Sequence, residues 1–101
     1  MLVSGTAPVF ADGSCPEDPA AQARRCFEII TTALEEAGSD IHNVVRTRMF
    51  LTSAGDASSV GEVHREVFGE TRPAATMVVV AALLDPRWKV EIEAEAVSTG
   101  G

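Results

Sequence analysis

RWKVEIEAEAV, residues 87–97, is the stretch whose reading decides the fold. Its even positions Val90, Ile92, Ala94 and Ala96 are apolar, and its odd positions Glu91, Glu93 and Glu95 are acidic. Successive side chains of a β-strand point to opposite faces, so the segment reads as a strand with one face on a core and three carboxylates in a row on the other. The residues upstream supply what lies on the core face. Asp18 before Pro19 has the form of a helix N-cap with proline at the first helical position. From there Ala23, Phe27, Ile30, Ala33, Leu34 and Ala37 recur at helical spacing up to Gly38, which predicts a helix over 19–37 with Cys26 on its apolar stripe.

Working outward, VVRTRMFLT (44–52) alternates, with Val45, Met49 and Leu51 on one face and Arg46, Arg48 and Phe50 on the other, and reads as a half-buried strand. Asp56 is placed to cap a second helix carrying Val60, Val63, His64, Val67 and Phe68 on one stripe and ending at Gly69. Gly61 within it weakens the helix by about 1 kcal/mol relative to alanine, which suggests a close packing approach. After Pro73, AATMVVVAALL (74–84) is apolar on both faces, and Asp85-Pro86 turns the chain into the opening strand. With LVSG (2–5) as a short first strand and a loop over 7–16, the order is β, α, β, α, β, β, an α+β fold.

Two helices cover only one face of a four-stranded sheet, yet strand 74–84 is apolar on both. A second copy of the chain is the natural cover, so the reading predicts a homo-oligomer. Glu91, Glu93 and Glu95 then face the neighbour, with Arg46 and Arg48 as the obvious ion-pair partners, or with a glutamate free to accept a proton or position a water.

Composition bounds the rest. The 101 residues fit one domain, and 46% apolar content describes a folded chain. No apolar run reaches the roughly 18 residues of a membrane span, and Met1 is not followed by the pattern of a secretory signal, so the expected location is the cytosol. Cys15 and Cys26 lack companions at metal-ligand spacing, which argues against zinc and for a plain reduced pair. A net charge of −7, with one lysine (Lys89) and seven scattered arginines, disfavours a nucleic-acid partner and RNA cleavage.

VSGTAP (3–8), AGSDIHNVVRTRMFLT (37–52), VGEVHREVF (60–68), RPAATMVVV (72–80) and VEIEAEAV (90–97) resemble, in order, the blocks of the Rid/YjgF family, the reactive intermediate deaminases also described as endoribonuclease L-PSP-like. The resemblance covers nearly the whole chain. It implies a chorismate-mutase-like fold, a single domain over 1–101, and a homotrimer whose sheets form a central barrel with small-molecule clefts between subunits. It further implies hydrolysis of imine or enamine intermediates without metal or bound cofactor. Glu91 matches the glutamate that orients the attacking water, and Gly5 matches a loop residue of the cleft, with turn conformation as its plainer role.

Two departures stand out. The family's proline-alanine-arginine-serine/threonine motif is Pro73-Ala74-Ala75-Thr76 here, so Ala75 replaces the arginine that clasps a substrate carboxylate. Standard 2-aminoacrylate deamination is therefore doubtful, and Arg72 is a substitute only if the chain path at Pro73 allows it. The family also carries a further N-terminal strand ahead of the Ser-Gly block; with Met1 immediately before LVSG the resemblance implies that this strand is absent here, the member being either naturally short or recorded from a start internal to a longer reading frame. An imine or enamine hydrolase with an unnamed substrate and a non-catalytic metabolite-binding trimer both remain open. His64 is expected to be a packed, hydrogen-bonded histidine, His42 exposed, and Trp88 a cap on the rim of the sheet.

Overall fold

The computed structural model describes residues 1–97, which leaves the last positions of the expected 1–101 domain outside the described residues. The elements are β1 (Leu2–Thr6), α1 (Pro19–Glu36), β2 (Val44–Leu51), α2 (Ala57–Phe68), β3 (Ala74–Val79) and β4 (Val90–Ala96), in the expected order. The strands form one sheet in the order β1-β4-β2-β3, antiparallel except for the parallel β2–β3 pair joined through α2. The strand that opened the reading thus lies inside the sheet, and Val90, Ile92, Ala94 and Ala96 are all buried.

Both helices pack on that face. Ala23, Cys26, Phe27, Ile30 and Leu34 of α1 join Val60, Val63 and Phe68 of α2 and the inward residues of β2 and β4 in one core. Phe27 meets Phe68 edge to face at 5.4 Å between ring centroids, a favoured aromatic geometry. Asp18 caps α1 as expected, its carboxylate accepting the Ala21 N–H at 3.0 Å. Gly38, at φ +85°, closes the other end: its N–H bonds Glu35 O and the Ser39 N–H bonds Leu34 O, the two bonds of a Schellman motif.

Four expectations are corrected. Asp56 precedes α2 but makes no side-chain cap; Ser53 instead caps the preceding 3₁₀ turn through the Gly55 N–H. Gly61 is no close approach, because a Cβ there would meet nothing within 4 Å. In β2 a register shift between Val44 and Arg46 turns Val44 inward and leaves Val45 exposed, while Thr47 takes the core position between Val44 and Met49. The strand expected over 74–84 ends at Val79, because β2 ends at Leu51; the bond from Val80 N–H to Leu51 O is the last rung, and Leu84 beyond it is 95% exposed.

Gln22 completes the frame from inside α1. Fully buried, it donates from Nε2 to Pro16 O (2.7 Å) and Arg87 O (2.9 Å) and accepts the Lys89 N–H at Oε1 (2.7 Å). One amide thereby ties the loop before α1 to the segment that leads into β4.

Candidate functional site

The acids of β4 face away from the helices, and the register with β2 decides what each meets. Glu95 stands opposite Arg46, Glu93 opposite Arg48, and Glu91 opposite Phe50. Arg48 Nη1 donates to Glu93 Oε1 at 3.1 Å, the cross-strand ion pair the alternation predicts. Both partners are partly exposed, so the pair contributes up to about 1 kcal/mol. Around it lies a cleft of about 380 Å³ whose lining includes Leu2, Ser4, Arg46, Arg48, Glu93 and Glu95.

Glu91 lies one step further along the ladder, outside that lining. The ion pair expected with Arg46 or Arg48 is not formed: Arg48 holds Glu93, and among the described residues Glu91 has no ion-pair partner. Its neighbour is Gly5 of β1, where a Cβ would lie 2.5 Å from Glu91 Oε2. The structure therefore brings Gly5 and Glu91 together. It gives Gly5 a role other than the turn conformation expected of it: Gly5 sits within a strand and leaves room for the carboxylate.

Ala75 and Arg72 lie elsewhere. β2 separates β4 from β3, so Ala75 and Glu91 do not meet within one chain. Ala75 is exposed on the edge strand in register with Thr47, on the helix side, whereas Thr76 pairs with Arg48 and shares the face of the acids. Arg72 does not extend β3 at all. It stands at φ +47° just before Pro73, and with Gly61, His64, Arg65 and Phe68 it lines a second groove, of about 420 Å³, against α2.

His64 is packed, as its place on the apolar stripe predicts. Its Nε2 is 2.9 Å from Thr47 Oγ1, its ring touches Phe27 and Phe68, and burial holds its pKa below the ordinary 6.5. Cys26 is buried, with its thiol pushed up to about 12, first by burial and then by the negative charge of Glu91; it and Cys15 are both free. Trp88 is half-buried, its Nε1 without a hydrogen-bond partner. Among the described residues no group of three or more His, Cys, Asp or Glu is arranged to hold a metal ion, and no helix is long and apolar enough to cross a membrane.

Sequence reasoning missed Gln22 and Arg65. Gln22 had a signal, since it lies four residues before Cys26 in phase with the apolar stripe; Arg65 had none, because only the turn at Arg72 brings the two arginines to one groove.

A helix pair on one face of a mixed sheet, with a cleft of small-molecule size beside a carboxylate ladder on the other face, defines an α+β small-molecule protein. The chain belongs to the Rid/YjgF family: the family model described as Endoribonuclease L-PSP matches residues 1–98. Among curated relatives, it is 36% identical over 102 residues to the 2-iminobutanoate/2-iminopropanoate deaminase of Escherichia coli K12, covering 96% of this chain and 78% of that one. It is 42% identical over 100 residues to Protein DfrA of Myxococcus xanthus, covering 88% and 75%. Among solved structures, Rv2704 of Mycobacterium tuberculosis, a member of the YjgF/YER057c/UK114 family, superposes with a TM-score of 0.86 at 42% identity over 94% of this chain and 75% of that one. Escherichia coli TdcF with bound serine gives 0.89 at 31% identity over 97% and 80%.

Proposed function

We propose that the chain hydrolyses a small imine, enamine or related C=N compound in the cytosol, without metal or cofactor, at a cleft closed between three copies. The observation that carries this reading is the half-buried carboxylate of Glu91, without an ion-pair partner among the described residues and lying against a glycine that leaves it room. Water adds to the carbon of the protonated C=N group as one water proton passes to Glu91, giving a neutral carbinolamine. Glu91 returns that proton to nitrogen, and the carbinolamine O–H then gives its proton to Glu91 as the C–N bond breaks, so ammonia leaves, takes up that proton, and the carbonyl product remains. The relative named as a 2-iminobutanoate/2-iminopropanoate deaminase supports this reaction class, and Ala75 in place of an arginine argues for a substrate held by something other than that clasp.

The same substitution favours a second reading, a metabolite-binding trimer that does no chemistry. Hydrolysis of an imine generated in solution separates them. The hydrolase reading expects wild-type protein to accelerate carbonyl formation and Glu91→Gln to lower the rate ~100-fold, within the range for a lost general base. Equal rates for wild type, variant and buffer overturn it.

A further inference from the structure

The groove against α2 holds two of the arginines that ion pairs leave over. In a chain of 15 acidic and 8 basic residues, most cations are occupied: Arg24 holds Glu66, Arg25 holds Glu28, Arg48 holds Glu93 and Arg87 holds Asp85, each within 3.5 Å. Lys89 donates to Glu17 O. Among the described residues Arg46, Arg65 and Arg72 have no ion pair; Arg46 lines the cleft of the acids, opposite Glu95, whereas Arg65 and Arg72 both line this groove, which has no acidic residue in its lining. Of the acids nearby in sequence, Glu66 is turned to Arg24 on the neighbouring helix, and Glu62 and Glu70 are not among the lining residues.

The backbone supports a built site. Arg72 is the sole non-glycine residue at positive φ among those described, a conformation that costs of order 1 kcal/mol or more and persists where surroundings or function hold it. It also precedes proline, which further narrows its allowed backbone. That turn places Arg72 on the groove beside Arg65 rather than on β3. Besides the arginines the lining includes Phe68, Pro73 and the half-buried ring of His64, whose Nε2 is already engaged by Thr47. Gly61 contributes no side chain, and a Cβ there would meet nothing within 4 Å, so the groove stays open over that turn of helix.

We infer that this groove binds a small carboxylate with a flat apolar body, the carboxylate held by the guanidinium groups of Arg65 and Arg72 and the body lying on Phe68 and His64. Guanidinium forks match a carboxylate in two-pronged geometry, and the lining of ring faces accepts a planar group. The volume of about 420 Å³ falls within the range of small-molecule pockets. Because both arginines are exposed, the binding weakens as salt rises. The site is on the helix side of the sheet, away from Glu91, and does not rest on the hydrolase reading.

Benzoate is the probe, titrated into the full chain at low salt and followed by the NMR shifts of the Gly61 and Phe68 amides. Saturable binding is expected, weakened at least tenfold by Arg72→Gly and by Arg65→Gln and changed less than twofold by Glu91→Gln. Arg72→Gly is the informative variant because glycine adopts the positive φ freely; it removes the cation while the melting temperature holds or rises, so loss of binding is not loss of fold. Benzyl alcohol, which keeps the ring and lacks the charge, is expected to bind at least tenfold more weakly. No saturation, equal binding of benzyl alcohol, equal binding of inorganic phosphate, or wild-type affinity in both arginine variants each overturns the inference.

Discussion

At the scale of single residues, the proposed chemistry turns on the placement of Gly5 beside Glu91. A methyl group at position 5 would lie 2.5 Å from Glu91 Oε2. The atom it meets is the end of a flexible side chain, so the carboxylate gives way before the backbone does. Gly5→Ala is therefore expected to keep the fold, read as an unchanged far-UV circular dichroism spectrum. The rate of imine hydrolysis is expected to fall at least ~10-fold, because a general base works only within hydrogen-bond reach of its proton. An unchanged rate shows that the position of Glu91 is irrelevant to turnover. The neighbouring Glu93, tied to Arg48 at 3.1 Å, illustrates the other fate of an acid on this ladder, that of an exposed ion pair worth little to stability.

At the scale of elements, the approach to β4 sets where Glu91 stands, and Gln22 holds that approach. Its amide bonds Pro16 O, Arg87 O and the Lys89 N–H from a fully buried position. Gln22→Leu keeps the volume and leaves these backbone groups without their partner, which is expected to cost about 3 kcal/mol in urea unfolding. A loss under about 0.5 kcal/mol, the level of an ordinary surface change, contradicts the latch. How far the elements were legible follows the physics of each. β4 and α1 could be read because burial on one face imposes a strict period, and Asp18 and Gly38 mark the helix ends chemically. The end of β3 could not, because Val80 to Leu84 are as apolar as Val78 and Val79; the strand stops where its partner β2 stops, a long-range fact. The shift at Val44–Arg46 and the missing Asp56 cap depend likewise on neighbours outside the local pattern. Glu91 and Gly5 were proposed for the site through the family resemblance, and the structure sets them side by side, whereas the groove of Arg65 and Arg72 depends on a backbone turn that residue types do not announce.

At the scale of the whole molecule, a single chain leaves apolar side chains exposed at its sheet edges, which is the ground for the proposed trimer. The outward sheet face is polar at its centre, where β2 and β4 exchange charges, rather than uniformly apolar. Among the exposed large apolar side chains, Val78 and Val79 (41% and 54% exposed) lie on the β3 edge, on opposite faces, and Leu2 (78%) on the opposite edge, besides Val45 and the loop residues Phe10 and Leu84. Both edges carry open hydrogen-bonding groups as well as apolar side chains, a combination that isolated proteins avoid. The residues matched to the family's cleft are divided in the same way, Gly5 and Glu91 at one side of the sheet and Ala75 at the other, so a site using both sides needs a second copy. Closure around a threefold axis satisfies both conditions. Sedimentation equilibrium at micromolar concentration tests this most directly. The account predicts a single species of about 32 kDa, three times the 10.6 kDa chain, and a species of 10.6 kDa that persists across the concentration range contradicts it.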